Sequence, residues 1–337
     1  MRTVQHVLAA LVILGIPSIA CAQEKEKEKE KAKPESKVVY AYPETSVTKH
    51  SIIINGDRIA YTATVGHLVL LDEKGVKRSH NFYIAYTRDQ VSDPSKRPIT
   101  FAFNGGPGSS SVWLHMGALG PKRVVMEDDG TSKGPPYTIV DNTFSWLDRT
   151  DLVFIDPIET GYSRPAEDVD KKEFTGYSED LHSVGDFIHK YISEHGRWSS
   201  PKFLAGESYG TTRAAGLSGY LQDRHGMYLN GIVLVSAVMN FQTLWGNEGN
   251  DLPYSLFLPS FAAAAHYHGK LDKVRYPTQT ALLDEVERFA LNEYTLFLMK
   301  GDRTNKEERD AMALRLSGYI GIDKGVIARN NYRISTG

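Results

Sequence analysis

Two patterns of apolar residues divide the sequence. Between residues 38 and 88, segments rich in Ile, Val, Tyr and Thr (51–54, 58–71 and 81–87) alternate with turn residues, which predicts antiparallel strands. After residue 97, short apolar runs at 99–103, 152–155, 202–205 and 232–235 alternate with longer stretches. Such runs are typical of strands buried on both faces of a parallel sheet. The predicted fold class is therefore α/β, a mostly parallel sheet with antiparallel strands at its amino-terminal end.

Helical spacing of apolar residues is clearest at 177–191. The strand pattern stops after Asn240, and helical patterns at 279–300 and 306–316 follow. We therefore expect an α/β core over residues 38–240 and a helical cap, inserted into the sheet domain, over residues 241–337.

The amino terminus is predicted to be an export signal. Residues 1–22 contain Arg2, an apolar run at 7–16 and the cleavage pattern Ala20-Cys21-Ala22. That run is about half as long as a membrane-spanning helix requires, so no transmembrane segment is predicted. Residues 23–37 alternate acidic and basic side chains and are interpreted as a solvated linker.

Cysteine usage indicates the compartment. Cys21 is the single cysteine of the chain, so cleavage after Ala22 leaves a mature protein without any. An exported protein without disulfides suggests a bacterial periplasm or exterior. The alternative is a lipoprotein in which Cys21 carries the lipid.

The overall composition excludes several classes of protein. The chain has 337 residues, with 39 Lys and Arg against 41 Asp and Glu, and its apolar content is 41%. These values exclude a disordered protein, a disulfide scaffold and a polytopic membrane protein. The near-neutral charge also gives no reason to expect a nucleic-acid partner.

The strongest candidate for chemistry is the segment 206–210, GESYG. It matches G-x-S-x-G, in which the serine occupies a sharp turn that exposes its hydroxyl above the sheet edge. Residues 202–205 predict the required strand before it, and residues 211–221 predict the helix after it. The motif alone is also compatible with a Gly/Ser turn of no chemical role. In this context we interpret Ser208 as a nucleophile.

A glycine-rich segment, residues 104–111 (NGGPGSSS), directly follows the run at 99–103. Three glycines in five residues allow backbone N–H groups to converge on one point, as an oxyanion requires. In α/β-hydrolases one donor is the residue after the nucleophile, here Tyr209, and the other lies in such a loop. We assign the second donor to Gly106. A phosphate-binding loop is disfavoured because Walker spacing and G-x-G-x-x-G are missing.

A third segment, residues 156–163 (DPIETGYS), follows the run at 152–155, where open α/β sheets bind ligands. Together the three segments resemble the serine carboxypeptidase family of the α/β-hydrolase fold. Residues 104–110 are similar to its N-G-G-P-G-C/S-S signature, and residues 119–121 to its L-G-P. Residues 156–163 are similar to its D-x-P-x-G-T-G-[FY]-S segment, and residues 206–210 to its G-E-S-Y-[AG]. The resemblance covers residues 38 to 240 approximately.

The resemblance implies a hydrolase that releases C-terminal residues from peptides with a free C-terminus. Ser208 would be the acylated nucleophile, and Gly106 and Tyr209 would supply the oxyanion N–H groups. Asn104, Gly105 and Glu207 would bind the terminal carboxylate of the substrate. A carboxylic acid that stays protonated can donate a hydrogen bond to such a carboxylate.

Position 118 departs from the family's pattern. The family has a second glutamic acid before L-G-P, where this chain has Ala118. The paired-acid clamp for the substrate carboxylate is then incomplete. This leaves an esterase or acyltransferase of the same fold as an alternative function.

The rest of the catalytic triad is not assigned. Three histidines, His225, His266 and His268, follow Ser208, but no sheet strand is predicted between Asn240 and Gly337 that could carry the acid or the base. We expect the acid and base beyond Gly337, so that this chain is an N-terminal portion of a longer protein. A catalytically inactive binding module is the remaining alternative. No cofactor is predicted, and no metal site, since H-E-x-x-H is absent and the spacing of His266 and His268 is a weak signal.

Overall fold

Three long antiparallel strands begin the fold in the computed structural model, which describes residues 42–132 and 134–335. They are β1 (Ser46–Ile54), β2 (Asp57–Leu71) and β3 (Lys77–Arg88). Asn55 and Gly56, both at positive φ, form the two-residue turn between β1 and β2. Such a turn matches the twist of the flanking strands. The predicted strands are therefore present, and each is longer than its apolar segment. The predicted export signal and linker lie outside the described residues.

Seven shorter strands follow. In chain order they are β4 (Ile99–Phe103), β5 (Lys122–Val124), β6 (Ile139–Asp141), β7 (Asp151–Ile155), β8 (Arg164–Pro165), β9 (Lys202–Glu207) and β10 (Gly231–Val235). The main sheet has the order β1-β2-β3-β7-β4-β9-β10, with β8 paired to β3. β3 and β7 are antiparallel, whereas β7, β4, β9 and β10 are mutually parallel. The predicted fold class is confirmed. β5 and β6 form a separate antiparallel pair.

The α-helices are α1 (Val112–Leu114), α2 (Tyr177–Glu194), α3 (Tyr209–His225), α4 (Leu252–Tyr267), α5 (Gln279–Phe289), α6 (Thr295–Lys300), α7 (Lys306–Ile320) and α8 (Lys324–Arg329). Of these, α2 and α3 lie between parallel strands in the chain and pack against the sheet. The apolar stripe that predicted α2 is buried in the core shared with the sheet: Leu181, Val184, Phe187, Ile188 and Tyr191. Side chains at i, i+3, i+4 and i+7 lie on one face of a helix, so this spacing directs them inward. No helix in the described part of the chain has the length and apolar content needed to cross a bilayer.

The helices after residue 240 have a hydrophobic core of their own. Residues of α4 to α8 form it, with Leu282, Val286 and Ile327 fully buried. α7 begins with a capping box, in which Asn305 and Glu308 satisfy each other's backbone N–H groups. The segment is helical, as predicted. Its division from the core at residue 240, and its role as a cap, stay predictions.

β10 differs from its sequence pattern. Residues 232–235 predict a strand buried on both faces, and β4 and β7 are indeed buried throughout. In β10, however, residues Ile232 to Val235 are between 36% and 38% exposed. The burial prediction for this strand was therefore wrong. The physical reason is its position, because β10 ends the described sheet and pairs there with β9 alone.

Candidate active site

Ser208 occupies a strained turn between β9 and α3. Its backbone has φ +56° and ψ −125°, a region that residues with a Cβ rarely adopt. The Ser208 N–H donates to the carbonyl oxygen of Val235 at 3.0 Å, which fixes the turn to the end of β10. The side chain is half-buried. A serine held in this way presents its hydroxyl at the carboxyl edge of the parallel strands.

The glycines on either side of Ser208 are required by close packing. A Cβ on Gly206 would lie 2.1 Å from the carbonyl oxygen of Gly210. A Cβ on Gly210 would lie 2.7 Å from the carbonyl oxygen of Phe103 in β4. Both distances are far below van der Waals contact, so the tight turn accommodates glycine alone.

The glycine-rich loop lies directly against this turn. β4 and β9 are neighbouring parallel strands, and Phe103 lies opposite Gly206. The segments that follow these two strands therefore leave the sheet at the same end. A Cβ on Gly105 would lie 2.4 Å from the backbone nitrogen of Tyr209. Gly106 has φ +105°, which glycine adopts without strain. The two predicted oxyanion donors, Gly106 and Tyr209, are therefore carried by segments in contact.

Asn104 connects the loop to the end of β9. Its side chain is completely buried. The Nδ2 group donates to Glu207 Oε2 at 2.9 Å, and Oδ1 accepts the N–H of Leu114 at 3.0 Å. Two of the residues that the family resemblance assigns to substrate binding thus form one hydrogen-bonded pair, and Gly105 lies between Asn104 and Gly106. Ala118, in the place of the second acid, is exposed.

The third segment, residues 156–163, is hydrogen-bonded to the glycine-rich loop. Asp156 is buried, and its carboxylate accepts the N–H groups of Ser111 and Tyr162 at 2.9 and 3.3 Å. Burial raises the pKa of this carboxyl, against the effect of the two N–H groups. A Cβ on Gly161 would lie 1.8 Å from Asp156 Oδ2, so only glycine fits there. The sequence alone assigned no individual role to these residues.

A cavity of about 220 Å³ opens between the three segments. Its wall includes Pro107 and Gly108 of the loop, Ile158 and Thr160 of the third segment, and Tyr209 and Arg213 of α3. The charged residues of the wall are Glu159, Asp180 and Arg213. A substrate group bound in this cavity would lie next to the backbone of the turn.

Two residues that sequence reasoning missed hold the turn in place. Thr211 is fully buried; its hydroxyl donates to the Ser208 carbonyl oxygen at 2.6 Å and accepts the Val238 N–H at 2.8 Å. Arg213 is also fully buried. Its guanidinium donates hydrogen bonds to Asp180 in α2 and to the backbone carbonyl oxygen of Asn104 in the glycine-rich loop. The one available signal was the presence of polar residues in a helix that packs against a sheet.

The three histidines after Ser208 make their contacts elsewhere. His225 pairs with Asp186 at 3.0 Å, and His266 hydrogen-bonds the carbonyl oxygen of Tyr276 at 3.0 Å. His268 packs edge-on against the neighbouring Tyr267. None of these contacts joins a histidine to Ser208, so the base stays unassigned. Across residues 42–132 and 134–335, no group of three or more His, Cys, Asp or Glu side chains could hold a metal ion.

Comparison with known proteins identifies the family. The family model for serine carboxypeptidases matches residues 59–277, about two thirds of the chain. The chain belongs to the serine carboxypeptidase family. This confirms the resemblance based on the three segments.

Individual relatives of this family are distant. Serine carboxypeptidase-like 35 of Arabidopsis thaliana is 26% identical over 262 residues, 71% of this chain and 48% of that protein. The pheromone-processing carboxypeptidase of Saccharomyces cerevisiae is 32% identical over 155 residues, 43% of this chain and 20% of that protein. A crystal structure of the yeast prohormone-processing carboxypeptidase covers 77% of this chain and 53% of its own, with a TM-score of 0.46 and 20% identity. The chain thus spans half the length, or less, of the curated relatives it matches.

Proposed function

We propose that the protein is a serine carboxypeptidase, which releases C-terminal residues from peptides through an acyl-enzyme. The supporting observation is the contact between the strained Ser208 turn and the glycine-rich loop at one sheet edge. In the proposed reaction, Ser208 Oγ attacks the scissile carbonyl carbon while a general base accepts its proton. The peptide C–N bond then breaks, the amine leaves protonated, and water hydrolyses the resulting ester.

The proposed oxyanion donors are the N–H groups of Gly106 and Tyr209. They suit this role because their positions are set by close backbone packing, which needs no rearrangement as charge develops. The N-terminus of α3 adds a favourable electrostatic field at the same point.

The proposed recognition of the substrate's terminal carboxylate uses Asn104, Gly105 and Glu207. The hydrogen bond between Asn104 and Glu207 supports this assignment, because it orients two polar groups beside Ser208. Catalysis and recognition would then share one edge of the sheet, as an exopeptidase requires.

Replacement of Ser208 tests the nucleophile. In the full-length protein, Ser208→Ala is expected to abolish peptide hydrolysis and labelling by a fluorophosphonate. Ser218→Ala is the matched control, since Ser218 lies within α3 and its hydroxyl donates to the backbone carbonyl oxygen of Ala215 at 2.6 Å. Hydrolysis retained by Ser208→Ala would contradict the proposal. An unlabelled wild-type protein would favour an inactive binding module.

Ala118 supports a second candidate, an esterase or acyltransferase. The side chain at this exposed position has no carboxyl group to complete the clamp. Paired peptides that differ only in a free or amidated C-terminus distinguish the two functions. A strong preference for the free acid supports the carboxypeptidase, whereas equal rates support the esterase.

We also propose that the protein is exported into the periplasm or exterior of a bacterium. The support is the cleavage pattern at Ala20-Cys21-Ala22 together with the lack of cysteine after it. The mature protein is expected to begin at Gln23. A lipid-modified Cys21 at the amino terminus would indicate a lipoprotein instead, and an intact Met1 would contradict export.

A further inference from the structure

Arg213 is an unusually buried cation. Its residue is 1% exposed, and it is among the largest fully buried side chains in the described part of the chain. Burying a guanidinium costs several kcal/mol unless its charge and N–H groups are satisfied. Its partners therefore indicate why a charge is retained one turn after Ser208.

The guanidinium joins two elements by hydrogen bonds. Arg213 Nε donates to Asp180 Oδ2 at 2.8 Å, and Asp180 lies in the first turn of α2. Arg213 Nη1 donates to the backbone carbonyl oxygen of Asn104 at 2.8 Å. Asn104 directly precedes Gly105 and Gly106, so this bond fixes the start of the glycine-rich loop.

The same guanidinium also packs against aromatic rings. Its central carbon lies 5.3 Å from the ring centroid of Phe103 and 5.2 Å from that of Tyr209. Both distances are within the range of cation–π attraction. Tyr209 carries one proposed oxyanion donor, and Asn104 leads to the other, Gly106. The planar Arg213 guanidinium therefore contacts both Tyr209 and the start of the glycine-rich loop.

We propose that Arg213 is a positioning residue that sets the relative placement of the Gly106 and Tyr209 N–H groups. Asp180 anchors the guanidinium from α2. This inference rests on the proposed function for its reaction, but it concerns the oxyanion hole and not the choice of substrate. A displacement of reacting groups by about 1 Å can lower a rate by about 100-fold.

Lysine is an informative replacement. Arg213→Lys keeps the positive charge beside Asp180, but an ammonium is a point charge without the planar fork of donors. It cannot hold the Asp180 carboxylate and the Asn104 carbonyl in the same fixed geometry. We therefore expect the fold to persist while the donors lose their alignment.

A second buried arginine, at the amino-terminal ends of the parallel strands, provides a matched control. Arg197 is 6% exposed, donates to Asp151 Oδ2 at 2.7 Å, and donates to the Arg97 carbonyl oxygen at 2.8 Å. Like Arg213, it bridges a buried carboxylate and a backbone carbonyl. Asp151 begins β7, so this pair is remote from the carboxyl ends of the strands.

The experiment compares Arg213→Lys and Arg197→Lys in the full-length protein. The measurements are kcat and KM for a peptide with a free C-terminus, the rate of Ser208 labelling by a fluorophosphonate, and the melting temperature. The phosphonyl oxygen of the adduct needs the same donors as the oxyanion. We expect Arg213→Lys to lower kcat and the labelling rate by about 100-fold, with KM changed by less than about threefold. Arg197→Lys is expected to leave kcat and labelling within about threefold of wild type.

The outcomes separate this inference from the proposed function. If wild-type Ser208 is labelled but the peptide is not hydrolysed, the carboxypeptidase proposal is contradicted. The positioning role is then supported by the expected loss of labelling rate in Arg213→Lys but not in Arg197→Lys. Normal kcat and labelling in Arg213→Lys would overturn the positioning role, as would an equal loss in Arg197→Lys. If Arg213→Lys does not fold, Asp180→Asn is measured, with an expected loss of about tenfold in both rates. If neither variant folds, or if wild-type Ser208 is not labelled, the positioning role is overturned.

Discussion

We expect the protein to lose stability in acid through His115, which lies just after the helical turn that follows the glycine-rich loop. His115 is 8% exposed, its Nε2 atom is 2.7 Å from the hydroxyl of Tyr86, and its ring centroid is 4.6 Å from that of Phe154. Burial lowers the pKa of the imidazole to about 4. The folded protein therefore holds His115 neutral under conditions in which a solvated histidine is charged.

The magnitude follows from linkage between protonation and folding. A solvated histidine has a pKa of about 6.5, so the difference of about 2.5 corresponds to about 3 kcal/mol in the free energy of unfolding. Above pH 6.5 both states are neutral, and the full stability is present. Between pH 6.5 and pH 4 only the unfolded state binds the proton, so stability falls with pH. Below pH 4 both states are protonated, and His115 causes no further loss.

Urea denaturation between pH 7.5 and pH 4 measures this effect. His115→Gln keeps a hydrogen-bonding group near Tyr86 but cannot be protonated. Between pH 7.5 and pH 4 its free energy of unfolding is therefore expected to fall by about 3 kcal/mol less than that of wild type. His268→Gln is the control, since His268 is exposed, and its curve should parallel that of wild type. If the His115→Gln and wild-type curves are parallel across this range, the reasoning from burial is refuted.

Three further replacements test the packing around the site. Gly105→Ala should abolish activity, because its Cβ would lie 2.4 Å from the backbone nitrogen of Tyr209. Gly117→Ala is the control and should keep kcat, since its Cβ meets no atom within 4 Å. Equal kcat values in the two variants would contradict this packing. Thr211→Val should lower the free energy of unfolding by about 1–3 kcal/mol, since the buried N–H of Val238 loses its acceptor, and Thr211→Ser should restore most of it. Asp151→Asn should lower it by about 3–5 kcal/mol, because the buried Arg197 and the partly buried Arg97 lose their carboxylate, without changing kcat of the folded protein; a normal urea midpoint would count against these two ion pairs.

The secondary structure near the site follows the sequence closely. The run at 99–103 coincides with β4, and the runs at 152–155 and 202–205 each lie within a strand that is one or two residues longer. The helix predicted at 177–191 extends to Glu194, and the one predicted at 211–221 begins at Tyr209. These elements were predictable because unbroken apolar runs and helical spacing are local signals of buried strands and amphipathic helices. Burial of β10 was not, because exposure at a sheet edge depends on which strands are neighbours.

The candidate site was only partly predictable. Motif spacing singled out Ser208 and the glycine-rich loop, since a sharp turn and a glycine-rich backbone leave recognisable residues. Motifs say nothing about supporting residues such as Thr211, Arg213 and Asp180. Their roles depend on distances between segments, and an ordinary helix could contain the same residues on its surface.

The sequence by itself determined the strands, the helices and the glycines of the Ser208 turn, because each depends on neighbours within a few positions. Only the tertiary structure decided which distant groups meet. Arg213 contacts Asp180 across 33 positions and Asn104 across 109. The physical reason is the strand order, since β4 and β9 are adjacent and parallel and their carboxyl ends therefore lie at one edge. The proposed catalytic geometry depends on that adjacency, which no local pattern in the chain specifies.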